Sequence, residues 1–120
     1  MEVVTFLPGI AGLVMLLVGL LCFFQPQRVL GPCGISLGNA LALSEARAVF
    51  GGINIGAASV ALYSADAAVY LALGAAWSMA ALARFYAWRV DGASIKVLRA
   101  PIIFDAALAL MFLSGGVAAL

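Results

Sequence analysis

The side chains able to do chemistry are few, and several stand in unusual places. Among six basic and five acidic residues, Glu45, Arg47, Arg84, Asp91 and Asp105 lie inside or beside long apolar runs. An ionised side chain at the centre of a bilayer costs about 2.5–3.5 kcal/mol on the insertion scale. The simplest remedy is a partner of opposite charge, and a guanidinium fork suits a carboxylate. Arg84 and Asp105 are therefore expected to face one another. Glu45 either favours a helix N-terminus or turns inward, and Arg47 either snorkels to headgroups or turns inward. Turned inward, they would extend the pair to a network of Glu45, Arg47, Arg84 and Asp105. Asp91 could reach Arg89 or Arg47.

Three chemistries fit such a cluster. It could be an ion-pair latch that fixes helix register. It could be the polar floor of an intramembrane cavity holding a hydrophobic ligand, since an ionisable residue within a membrane is a functional-site hypothesis by default. It could be part of a proton or ion path, which would want carboxylates at several depths. Acid/base catalysis would have to rest on Glu45 or Asp105, with Tyr86 nearby. Histidine is absent, so there is no imidazole base and no histidine metal site. Cys22 and Cys33 form no C-x-x-C and read as reduced and inert. No nucleophile elbow, Walker loop or dinucleotide fingerprint occurs. The sequence thus calls for no metal and no cofactor.

These residues must be positioned by an unusual chain. Of 120 residues, 67% are hydrophobic and 9% charged, with a mean hydropathy of +1.21. Soluble domains are about half apolar and a quarter charged. The composition excludes a soluble enzyme, a disulfide scaffold and a disordered tail. A net charge of +1 offers no basic surplus for nucleic acid. The expected fold is all-α: a single integral membrane domain, a bundle of four transmembrane helices. About 20 apolar residues make one crossing, which places spans at about 3–24, 46–63, 66–88 and 100–119. The chain begins Met1-Glu2, without a positive n-region, so the first run reads as a retained helix. Pro8 is expected in its first regular turn.

All six basic residues (Arg28, Arg47, Arg84, Arg89, Lys96, Arg99) fall in or near the first and third loops. The opposite side carries Glu2 and Asp66. The positive-inside rule puts those loops in the cytoplasm and both termini outside. Phe23, Phe24, Phe85, Tyr86 and Trp88 suit the inner interface, and Tyr63 and Tyr70 the outer. Ser64-Ala65 makes a tight hairpin, and Asp66 can cap span three. The first loop contains a Gly31-Pro32-Cys33-Gly34 turn and the apolar stretch 35–43, which suggests a short interfacial helix. Gly52, Gly56 and Ser59 share one helical face that permits close backbone approach, either inside the bundle or between copies in a homo-oligomer. Asn54 can hydrogen-bond to a neighbouring helix. Ala67, Gly74, Ser78 and Ala81 are expected to meet span two.

The segment Ser44-Glu45-Ala46-Arg47-Ala48-Val49-Phe50-Gly51-Gly52 resembles an E-x-R-x-x-(Y/F)-G-G signature. Arg84 with Asp91-Gly92, and an acid early in the last span, also resemble that family's pattern. It is a small bacterial family of four-helix membrane proteins catalogued only as a domain of unknown function. The resemblance implies an inner-membrane bundle and no particular activity. On the residues themselves, the leading reading is a non-catalytic binding or accessory protein for a hydrophobic ligand or a partner membrane protein. The alternatives are an intramembrane enzyme acting on a lipid or isoprenoid-like substrate, and an oligomeric channel or carrier. Membrane lipids are its expected surroundings.

Overall fold

The computed structural model describes residues 2–120, with side chains described from residue 5 onward. The expected start of span one at Val3 and the Glu2 charge concern side chains outside that range. Among the described residues the chain is helical and has no strand. Four helical stretches are long and apolar enough to cross a membrane, at Thr5–Phe24, Ala40–Ser64, Ala67–Val90 and Ile95–Ala119. In hydrocarbon every backbone polar group must be satisfied within the chain, which helices do by themselves.

Helix α1 runs Glu2–Phe24 and encloses Pro8. Pro8 is buried inside the helix and does not sit in a first turn, because the helix begins well before it. A five-residue helix, α2 (Pro26–Leu30), starts on a proline whose missing N–H costs nothing there. The first loop's short helix is thus this one, while the stretch expected to be helical, 35–43, begins as extended chain. Span two starts earlier than its hydropathy suggests. Asn39 caps α3 (Ala40–Glu45), its Oδ1 accepting from the Ala42 N–H at 2.8 Å. The helix then widens into a π-helical segment, Ala46–Ile53, before continuing as α4 (Asn54–Ser64).

Ala65 turns the chain in a left-handed conformation (φ 47°), and the Asp66 Oδ1 caps α5 (Ala67–Val90) by accepting from the Ala68 N–H at 3.0 Å. After an Asp91-Gly92 turn, with Gly92 at φ +73°, α6 occupies Ile95–Gly116 and ends in a 3₁₀ turn.

Packing follows an order different from the chain order. Helix α1 packs against both span two and α6, and α6 packs most extensively against α5. Spans two and three, though joined by the hairpin, touch sparsely. Gly74 of span three therefore serves the contact with α6. A Cβ at Gly74 would meet the Leu113 side chain at 2.6 Å, and one at Gly116 would meet the Leu71 backbone at 2.5 Å. The packed core lies toward the hairpin end, formed by Ala11, Met15, Ala58, Ala61, Tyr70, Leu108 and Phe112. Tyr70 belongs to this core, its ring 6.3 Å from that of Phe112. Tyr63 is the exposed one.

Of the two uses expected for the small-residue face of span two, packing inside the bundle is not made by Gly56 and Ser59, and contact between copies stays open. Gly56 and Ser59 are exposed, Gly52 is half-buried, and a Cβ at Gly56 would meet nothing within 4 Å. Gly51 is the residue against α1: a Cβ there would lie 2.8 Å from the Phe23 Cα and N. Each wide π turn takes in an extra residue and rotates the later part of the helix off the 3.6-residue register that places these glycines on one face. Overpacking of this kind typically destabilises by about 1–3 kcal/mol. Gly51→Val should lower the melting temperature of the detergent-solubilised protein markedly, and Gly56→Val should leave it nearly unchanged. Equal melting temperatures for the two variants would contradict this packing.

Candidate functional site

Asp105 stands on α6 and Arg84 on α5, and the extensive contact between those helices brings them together. The Arg84 Nε donates to Asp105 Oδ2 at 2.6 Å. The carboxylate residue is 1% exposed and the arginine side chain 28%. This contact uses a single N–H. Neither Nη group of Arg84 has a hydrogen-bond partner among the described residues, and neither does Asp105 Oδ1.

The pair does not extend to the other expected members. Arg47 turns to α1, where its Nη1 donates to the carbonyls of Phe23 and, at 3.3 Å, Phe24. Those carbonyls have no intrahelical donor because the helix ends there, and a cation suits a helix C-terminus. Glu45 is exposed and lies within the continuous α3–π–α4 helix, away from any N-terminus, because Asn39 starts the helix earlier. Asp91 is exposed in its turn, and neither acid has an ion pair among the described residues. Arg89 lies over the Trp88 ring at 5.3 Å and does not bond Asp91.

Behind the pair is a cavity of about 500 Å³, within the range of small-molecule sites. All four spans and the first loop line it. Helix α1 gives Val18 and Cys22, span two gives Val49, Phe50 and Asn54, and α5 gives Trp77, Ala80 and Arg84. Helix α6 gives Pro101, Phe104 and Asp105, and the loop closes one end with Leu30, Cys33 and Ile35. Trp77 and Phe104 meet edge to face, with centroids 6.0 Å apart. Asn54 is buried at the wall, its Nδ2 donating to the Phe50 carbonyl at 2.8 Å. That bond is made within its own helix, not across to a neighbour. The π segment supplies Val49 and Phe50, so the wide turns border the space. Such turns often occur at functional sites.

Neither the aromatic walls nor the loop's contribution stands out in the sequence. Trp77, Phe104 and Phe50 look like ordinary packing residues in an apolar chain, and Cys33 and Ile35 come from a loop. Only Pro101, buried within α6 where it removes a backbone donor, marks the lining as unusual. Among the described residues no three metal-ligating side chains converge.

Fold and site together define a four-helix membrane protein with an apolar internal cavity that carries one ion pair on its wall. The chain belongs to the family described as Domain of unknown function (DUF4345), whose family model matches residues 3–115. Comparison with curated proteins and with solved structures gives no match.

Breaking a buried ion pair from one side is more damaging than removing both charges. Arg84→Ala and Asp105→Ala should each destabilise the bundle, toward the lower end of about 3–5 kcal/mol because the arginine is partly open. The double substitution should recover much of that loss, a coupling that a double-mutant cycle in detergent measures directly. Strictly additive losses would mean that the contact carries no stabilising weight.

Proposed function

We propose that this chain is a non-catalytic, multi-pass protein of a bacterial inner membrane that holds a hydrophobic ligand between its four helices. The observation behind this reading is the 500 Å³ apolar cavity with Asn54, Arg84 and Asp105 on its wall. Ligand sites are commonly apolar hollows with a few polar groups that set orientation. The two carboxylates available for acid/base work do not share a site, since Glu45 lies outside the cavity lining.

The ligand reading is tested by mass spectrometry of hydrophobic molecules that travel with protein purified in mild detergent. A defined species near one per chain is expected. Ala80→Trp, which fills the cavity from α5, should abolish its recovery while the bundle still melts cooperatively. Retention of the species by a folded, filled variant would sink the reading.

The basic residues gathered at the first and third loops support an orientation with those loops in the cytoplasm. A C-terminal fusion to a reporter that fluoresces only in the cytoplasm should then stay dark, while an alkaline phosphatase fusion at the same point should be active. The reverse pattern would invert the topology.

A further inference from the structure

We infer that the ligand is an uncharged, long-chain molecule with a hydroxyl head seated on the Arg84–Asp105 pair. This rests on the reading that the cavity takes a ligand and adds what kind of head it accepts. Arg84 and Asp105 are the only charged side chains among those lining the cavity. Their charges offset one another through the 2.6 Å contact. An anionic head would be a second negative charge beside a guanidinium already neutralised, and a cationic head would be equally unmatched. An uncompensated charge in apolar surroundings is strongly disfavoured.

What the pair still offers is hydrogen bonding. Among the described residues the Nη groups are donors without hydrogen-bond partners and Asp105 Oδ1 is an acceptor without one, all on residues that line the cavity. A hydroxyl is the complement of this set, because it accepts through its lone pairs and donates its one proton. A carbonyl would use only the donors, and an amine, protonated at neutral pH, would use only the acceptor and bring the unmatched charge. The rest of the lining, from Val18 to Phe50, Trp77 and Phe104, presents hydrocarbon and aromatic surface to a tail.

The cavity contains its own reporter. The chain has two tryptophans, and Trp88 lies outside the lining, so Trp88→Phe leaves Trp77 as the single tryptophan, excited selectively at the red edge of its absorption. The full chain, reconstituted in phosphatidylcholine vesicles, is titrated with a tail-brominated long-chain alcohol or with that alcohol's sulfate ester, which stays ionised at all working pH values. The expected result is saturable quenching of Trp77 by the alcohol, reversed by unbrominated alcohol. The sulfate should be weaker by about tenfold or more, the scale of one unmatched charge in a membrane interior. Asp105→Asn, which leaves Arg84 uncompensated, should shift the preference toward the sulfate. Sulfate binding as tight as the alcohol's in the wild-type cavity overturns the inference and leaves the ligand-holding reading intact. No saturable quenching by either probe overturns both.

Discussion

A carboxylate surrounded by hydrocarbon has to meet a cation, and in this molecule that requirement joins Asp105 to Arg84. The consequences spread outward from one contact. It ties α5 to α6 along the longest interface of the bundle, where Gly74 and Gly116 let the two helices approach closely. The pair sits on the wall of a cavity and not within the packed core, so it combines a structural obligation with unused donors and an acceptor. Had the pair been sealed among Met15, Tyr70 and Phe112, it would be a latch and nothing more.

A second device works beside it. Arg47 uses its guanidinium on the terminal carbonyls of α1, and Gly51 lets the π segment lie directly against Phe23. The signature segment thus holds α1 to span two at the basic end of the bundle. The same segment lends Val49 and Phe50 to the cavity. Two arginines that look alike in sequence therefore do different work. Arg47 completes a helix end, and Arg84 balances a buried acid.

Much of this is legible in residue order. Apolar run length locates the four helices, and matched depth from the span ends places Arg84 opposite Asp105 in antiparallel neighbours. Asp66 caps α5 as its type and position suggest. The departures have physical reasons of their own. A 3.6-residue period puts Gly52, Gly56 and Ser59 on one face, but within the chain the close contact with α1 is made by Gly51 of the π segment. Hydropathy starts span two at Ala46 because it does not register a cap, whereas Asn39 starts the helix by a side-chain hydrogen bond. Their place at the inner start of span two groups Glu45 and Arg47 with the deep charges, but α1's unsatisfied carbonyls are the stronger attraction for Arg47. The cavity itself leaves no trace in the sequence. An empty volume arises from how four helices lean, and Trp77 or Phe104 reads the same whether it fills a core or borders a gap.

The sparse contact between spans two and three has a thermodynamic corollary. Ala65 joins them at one end, and they share few contacts along their length. A hydrophobic ligand of the kind proposed would exchange one hydrocarbon environment for another on entering the cavity, and the hydrophobic effect would contribute almost nothing to its residence. Selectivity then falls on shape and on a few polar atoms. Under the proposed ligand-holding role, occupancy would follow the ligand's mole fraction in the surrounding leaflet, so bilayer composition, and not aqueous concentration, would set how full the cavity is.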